Sequence, residues 1–83
     1  MELLFFMVYE KLYDVIEDIF AADRAALSPE TNFADDLFAD YEDMLELSMI
    51  VEEEFGVFMD DEVFTSFQTI GEFAAYIERH AGE

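Results

Sequence analysis

The chain has 83 residues, no cysteine and a formal net charge of −19. So short a chain has too little apolar area for two hydrophobic cores, which predicts a single domain spanning residues 1–83. The negative charge disfavours nucleic acids and anionic lipids as partners and favours basic protein surfaces. The lack of cysteine excludes disulfides, thiolate nucleophiles and Cys-ligated metal sites.

Apolar residues make up 54% of the chain and include ten Phe and four Tyr, a composition that argues against intrinsic disorder. The opening segment MELLFFMV is too short to span a bilayer and lacks the basic start and cleavage site of a signal peptide. We therefore expect a cytoplasmic, soluble monomer in which residues 1–6 form an apolar N-terminal extension.

The first helix is predicted over about Met7–Ala22. Its apolar residues recur at helical spacing, while charged residues occupy the other side; the apolar stripe consists of Val8, Leu12, Val15, Ile16, Ile19 and Phe20.

A long connection is predicted from Asp23 to Ala39. Ser28 before Pro29 indicates a brief turn, since serine caps helical turns and proline suits their first position. So long a loop is unusual in a small domain, so we expect its apolar residues to anchor it in the core; these are Leu27, Phe33 and Leu37.

The second helix is predicted over Tyr41–Phe55. Asp40 can accept from the free N–H groups at its start, with Asp43 as the second acid of a capping box, and Gly56 suits a left-handed terminator. The buried face is expected to contain Leu47, Ser48, Val51 and Phe55.

Two further helices complete the prediction. The segment DDEVFTSF has room for one or two turns, partly 3₁₀. Thr69 and Glu72 indicate a capping box before a last helix that ends near His80. No stretch alternates long enough to predict a sheet, so the expected fold is an all-α, small four-helix bundle with a long loop between helices I and II and a short helix III.

The stretch FADDLFADYEDMLELSMIVEEEFG resembles the pattern F-x-x-D-L-G-x-D-S-L-D-x-x-E-L-x-x-x-x-E-E-x-F of acyl carrier proteins, which serve fatty-acid and polyketide synthesis. The resemblance implies their four-helix fold and their cofactor, 4′-phosphopantetheine, which is joined to the serine of the pattern. The residues that agree in register are Phe33, Asp36, Leu37, Asp40, Asp43, Glu46, Leu47, Glu52, Glu53 and Phe55.

This sequence departs from the family pattern at three positions. Phe38 stands at the glycine, Tyr41 at the modified serine and Glu42 at the following leucine. The aryl ring of tyrosine moves the hydroxyl outward by several ångströms, and an error of about 1 Å can cost a catalyst roughly a hundredfold in rate. We therefore expect Tyr41, with Asp40 and Glu42 beside it, to remain unmodified, and predict no bound cofactor.

No other serine is expected to replace it. Ser48 is predicted on the buried side of helix II, while Ser28 and Ser66 lie outside the motif. Phe38 and Tyr41 are expected to close the mouth through which an attached arm would enter.

The acidic face of helix II resembles the surface on which enzymes of the family dock Arg and Lys side chains. The alternative is an ordinary solvated helix face. Exposed apolar residues ringed by charge favour docking; the predicted docking residues are Asp43, Leu45, Glu46, Met49 and Glu53.

Other sites receive little support from the sequence. The phenylalanines Phe20, Phe33, Phe55, Phe64, Phe67 and Phe73 are expected to fill the core rather than to line an acyl pocket. The acidic runs lack EF-hand spacing, so no metal site is predicted. The sole histidine, His80, is assigned to a helix end, and with no paired nucleophile and base an enzyme is not expected.

Three functions are weighed. The leading one is an acyl-carrier-like module that docks on basic surfaces of lipid or polyketide synthesis enzymes without carrying the arm. The second is a working carrier that is modified by an unusual route or altered at position 41. The third is an acidic decoy that binds a nucleic-acid-binding protein through charge alone.

Overall fold

The computed structural model describes residues 2–81, with side chains from residue 6 onward. The described chain contains four α-helices: α1 (Glu2–Phe20), α2 (Tyr41–Phe55), α3 (Asp61–Phe64) and α4 (Ile70–His80). A 3₁₀ turn at Arg24–Ala26 follows α1, and one isolated antiparallel bridge joins Asn32 to Thr69. The prediction of an all-α fold with a long loop between the first two helices and a short third helix is confirmed.

Helix α1 differs from the prediction at both ends. It begins at Glu2 instead of Met7, because residues 2–6 contain good helix formers and no capping residue precedes Met7 to start the helix there. It ends at Phe20 instead of Ala22, because Ala21 adopts a left-handed conformation with φ 53°. Residues 2–6 of the expected extension therefore belong to α1, and residue 1 lies outside the described chain.

The core lies between α1, α2 and α4, with Phe33 from the long loop, Val57 and Met59 from the loop after α2, and Phe64 from α3. Three of the six predicted core phenylalanines, Phe33, Phe64 and Phe73, are buried. The other three are only partly buried, since Phe20 and Phe55 end their helices and Phe67 lies between α3 and α4. The buried apolar set is Val8, Leu12, Ile16, Phe33, Met44, Leu47, Val51, Val57, Met59, Phe64, Ile70, Phe73, Ala74 and Ile77.

Residues 21–40, the crossover, are held by contacts with the start of α4. The carbonyls of Pro29 and Thr31 accept hydrogen bonds from the first N–H groups of α4, at 2.9 and 3.0 Å. These helix N–H groups have no partner within their own helix, so the crossover satisfies them. Gly71 permits this approach, because a Cβ there would lie 3.0 Å from the Pro29 carbonyl oxygen.

The apolar residues of the crossover pack on the core as predicted. Phe33 is buried, and Leu27 and Leu37 lie half-buried against the core. The expected turn at Ser28 closes with a bond from the Thr31 N–H to the Ser28 carbonyl, at 3.0 Å. The 3₁₀ turn just before it, which begins after Asp23, was not predicted.

Each of the last two helices begins with a side-chain cap, of which only that of α4 was predicted. Asp60 accepts from the Val63 N–H before α3, which forms one α-helical turn with no 3₁₀ part. The Thr69 hydroxyl accepts from the Glu72 N–H at 3.2 Å. The Glu72 carboxylate, however, accepts from the Gln68 N–H at 2.7 Å and not from the Thr69 N–H that a capping box requires. The predicted capping box is therefore only half correct, because the bridge between this segment and the crossover orients its backbone.

None of the helices within residues 2–81 combines the length and the apolar content needed to cross a membrane.

Candidate functional site

The start of α2 is held by a complete capping box. Asp40 accepts from the Asp43 N–H at 2.9 Å, and Asp43 accepts from the Asp40 N–H at 3.2 Å. Both carboxylates thereby satisfy donors that the helix leaves open. At the other end Gly56 has φ 71° and donates to the Glu52 carbonyl, so the predicted bounds of α2 are confirmed.

Tyr41 is the first residue of α2 and reaches across to α3. Its side chain is 48% exposed, and its hydroxyl donates a hydrogen bond to Oδ2 of Asp61 at 2.6 Å. Its ring centroid lies 5.7 Å from that of Phe64. The bond to Asp61 raises the pKa of Tyr41, with smaller contributions from burial and from the Asp61 charge. The hydrogen bond and the ring contact thus hold the phenol in a fixed direction towards α3.

An open cleft of about 540 Å³ lies beside Tyr41. It separates the crossover and the start of α2 from the segment between α3 and α4. Its apolar walls come from Phe33, Met44 and Phe67, and acidic and amide side chains stand around them; the lining residues are Asn32, Phe33, Ala34, Asp35, Ala39, Asp40, Tyr41, Met44, Thr65, Phe67 and Gln68.

Phe38 is not part of this cleft. Its side chain is 82% exposed, and its backbone is left-handed with φ 55°. The expectation that Phe38 and Tyr41 together close the mouth is therefore wrong for Phe38. The left-handed turn directs the Phe38 ring away from the core and into solvent, whereas Tyr41 lines the cleft.

A groove of about 510 Å³, which we call the α2 groove, runs along the exposed side of α2. Four of the five predicted docking residues line it. Asp43 does not, because its carboxylate is used in the capping box. Glu42 and Ile50 complete the groove, and Ile50 was missed although its apolar side chain adjoins Met49 in sequence; the lining is Glu42, Leu45, Glu46, Met49, Ile50 and Glu53.

Two of the chain's cations are used elsewhere. Lys11 pairs with Glu54 at 3.4 Å. Arg24 pairs with Glu10, Asp14 and Glu17 on α1, and its guanidinium lies 5.4 Å from the centre of the Tyr13 ring. Within the described residues, no ion pair joins a cation to a carboxylate of the α2 groove, which keeps a concentrated negative charge around its apolar floor.

The serines do not gather at the start of α2. Ser48 is buried, as predicted, and donates to the Leu45 carbonyl at 2.7 Å. Ser66 donates to the Val63 carbonyl at the end of α3, and Ser28 lies in the crossover. His80 is the last residue of α4, and its ring stacks on Tyr76 at 4.2 Å. Residues 2–81 contain no group of three or more His, Asp or Glu arranged to hold a metal ion.

Comparison with known proteins identifies the family. The pattern of the family described as "Phosphopantetheine attachment site" matches residues 10–77. The chain belongs to the acyl carrier protein family. The acyl carrier protein of Clostridium acetobutylicum is 40% identical over 77 residues, covering 93% of this chain and all of the relative.

Other acyl carrier proteins align over nearly the same length. That of Solidesulfovibrio magneticus is 41% identical over 76 residues, covering 92% of this chain and 97% of the relative. That of Lactobacillus acidophilus is 35% identical over 75 residues, covering 90% of this chain and 94% of the relative. The family resemblance seen in the sequence is therefore confirmed over at least 90% of the chain.

Membership of the acyl carrier protein family confirms two further expectations. The family consists of carrier proteins, so the prediction that the chain is not an enzyme is correct. The prosthetic group of the family is 4′-phosphopantetheine, as the resemblance implied.

Proposed function

We propose that this chain is an acyl-carrier-like module that docks on lipid or polyketide synthesis enzymes but does not carry the phosphopantetheine arm. It would act as a single-domain cytoplasmic monomer and use the α2 groove to bind basic enzyme surfaces. The net charge of −19 makes nucleic acids and anionic membranes poor partners. The contact between Tyr41 and Asp61 is the observation that carries the proposal.

Tyr41 occupies the position that corresponds to the modified serine of the family. Its hydroxyl is already bound to Asp61 at 2.6 Å, and its ring packs near Phe64. An attacking hydroxyl must be free and correctly placed, and displacement by about 1 Å can reduce a rate roughly a hundredfold. A transferase that acts on a primary alcohol close to the backbone would find an aryl ring in that place.

The charges around Tyr41 also do not suit a phosphodiester. Asp40 and Glu42 adjoin it in sequence, and Asp61 contacts its hydroxyl. A helix N-terminus normally attracts an anion. Asp40 and Asp43 belong to the family pattern, so Glu42 and the Asp61 carboxylate at the Tyr41 hydroxyl are the charges that distinguish this site. The residues present therefore do not fit the family's prosthetic group.

The α2 groove supports the docking part of the proposal. Met49 is 60% exposed and lies among Glu42, Glu46 and Glu53, and an apolar floor within a ring of charge is typical of an interaction surface. Unpaired carboxylates on this face steer a basic partner and give binding that weakens with salt.

Intact-mass measurement after incubation with coenzyme A and a phosphopantetheinyl transferase tests the missing arm. We expect no adduct on this chain, whereas the acyl carrier protein of Clostridium acetobutylicum serves as a positive control. The Tyr41→Ser variant leaves the net charge unchanged and reports whether the rest of the site is still recognised. An adduct on the unaltered chain would support the working carrier and refute the loss of the arm.

Binding to a purified condensing enzyme of fatty-acid synthesis tests the docking surface. We expect Glu46→Gln to weaken binding severalfold, and Asp18→Asn, which removes the same charge from the exposed side of α1, to change it little. Met49→Ala should weaken it about tenfold without changing the net charge. An acidic decoy would instead be insensitive to Met49→Ala, and this outcome would refute docking through the α2 groove.

A further inference from the structure

Phe38 combines two features that do not favour folding. Its side chain is 82% exposed, and its backbone adopts φ 55°. A single exposed apolar residue is ordinary on a protein surface. A bulky residue in the left-handed region is not, because its Cβ crowds the following carbonyl, and such strain is found most often at functional sites.

The turn that carries Phe38 is held firmly. The Asn32 side chain accepts from the N–H groups of Ala34 and Asp35, at 2.9 and 2.8 Å. The backbone N–H groups on each side of Phe38 also donate hydrogen bonds. That of Leu37 donates to the Asn32 carbonyl at 3.2 Å, and that of Ala39 donates to the Phe33 carbonyl at 2.8 Å. Both neighbours pack against the core. The exposed ring therefore projects from a preorganised backbone.

The surroundings of Phe38 match those of the α2 groove. Asp35, Asp36 and Asp40 are exposed and give this turn a negative charge. Phe38 precedes Glu42 by four residues, a separation that spans at most about 14 Å. A typical interface covers about 800 Å² on each partner, so one partner seated on the α2 groove also reaches Phe38.

We propose that Phe38 is the aromatic anchor of the docking surface and inserts into an apolar pocket, rimmed by Arg or Lys, on the same partner enzyme. This inference rests on the proposed docking function and extends it by naming a residue that determines specificity. A rigid aromatic side chain loses little conformational freedom on binding, and buried aromatic anchors dominate the affinity of many interfaces. The carboxylates around the ring complement the basic rim.

The test compares two exposed phenylalanines. Phe38→Ala and Phe38→Gly should each weaken binding to the condensing enzyme about tenfold or more. Phe58→Ala is the matched control, because Phe58 is 68% exposed but follows the opposite end of α2, a helix about 22 Å long. We expect this control to bind within about twofold of wild type, as peripheral interface residues do.

Stability measurements separate lost binding from lost folding. Phe38→Gly should raise the urea midpoint of unfolding, because glycine accepts the left-handed backbone. A variant that is more stable and yet binds more weakly has lost an interface contact, which supports the anchor.

If both Phe38 variants bind like wild type while Glu46→Gln weakens binding, the anchor is refuted and docking through the α2 groove stands. If the wild-type chain does not bind at all, the docking function fails and the anchor fails with it.

Discussion

The hydroxyl of Tyr41 donates a hydrogen bond to Asp61 at 2.6 Å and so joins the first turn of α2 to the first turn of α3. Helix α3 has only four residues, and so short a helix is not stable without tertiary contacts. Val63 and the buried Phe64 also pack α3 on the core, and the ring of Phe64 lies near that of Tyr41. Tyr41 therefore contributes both a polar and an aromatic contact to the position of α3.

Replacing Tyr41 with Phe tests the polar contact alone, since the ring remains. We expect the free energy of unfolding at pH 7 to fall slightly, because water can replace much of a hydrogen bond between two exposed side chains. Urea unfolding followed by far-ultraviolet circular dichroism measures it. Equal stability of the two chains would show that water replaces the bond without loss.

The difference in stability between wild type and Tyr41→Phe should depend on pH. The Asp61 carboxylate accepts the hydrogen bond and raises the pKa of Tyr41 above its ordinary value of 10.0. A raised folded-state pKa gives stability that is complete below the unfolded pKa and is lost as pH rises through the folded pKa. We expect the advantage of wild type over Tyr41→Phe to be constant from about pH 7 to 9 and to shrink as the pH rises above 10. An advantage that stays constant while Tyr41 ionises would contradict this assignment.

Gly56 provides a test of backbone conformation without steric complications. Its φ is 71°, and nothing lies within 4 Å of the position that a Cβ would occupy. Gly56→Ala should therefore destabilise the chain by about 1 kcal/mol through the left-handed backbone alone. A chemically synthesised chain with D-alanine at position 56 is the control, because a D-residue prefers positive φ. If the L- and D-alanine chains unfold at the same urea concentration, backbone strain is not the cause.

Arg24 fastens the crossover to α1. Its guanidinium pairs with three carboxylates, and its backbone N–H donates to Glu17 at 2.8 Å. We expect Arg24→Ala to lower the free energy of unfolding by about 1–2 kcal/mol, since it removes a network and leaves three like charges together. Arg79→Ala removes the same formal charge from the exposed end of α4 and should cost much less. Equal losses would assign the effect to net charge.

The net charge itself predicts a response to salt. Repulsion among 22 acidic side chains opposes the compact state, and added ions screen it. We expect Tm to rise with NaCl and to rise further with MgCl2 at the same ionic strength. A gain of about 1 kcal/mol corresponds to ~4–8 °C in a domain of this size. A Tm that stays level or falls across the titration would contradict the prediction.

Much of the fold was predictable because its signals are local. The bounds of α2 follow from Asp40, Asp43 and Gly56, which act within a few residues of their own positions. The start of α1 was missed, because no capping residue marks it and the apolar residues before Met7 resemble an extension as readily as a helix. The predicted bond from the Thr69 N–H to Glu72 was wrong, because a bridge to Asn32 in the distant crossover orients the backbone at Thr69.

The candidate site was less predictable. Four of the five proposed docking residues line the α2 groove, since helical spacing already places them on one face. Asp43 was assigned to both the cap and the docking face; the structure confirms its role in the cap, and its role in docking stays a prediction. The partner of Tyr41 lies 20 residues away in sequence, a separation at which no local pattern indicates contact.

The sequence by itself determined the helices, the family and the charge that a partner would meet. Capping residues, apolar spacing and composition act through the neighbouring backbone or through the chain as a whole, so they can be read without a structure. The tertiary structure decided the contact between Tyr41 and Asp61, the exposure of Phe38 and the edges of the α2 groove. These depend on how helices and crossover pack over long separations in the chain, and helical periodicity carries no information about that packing.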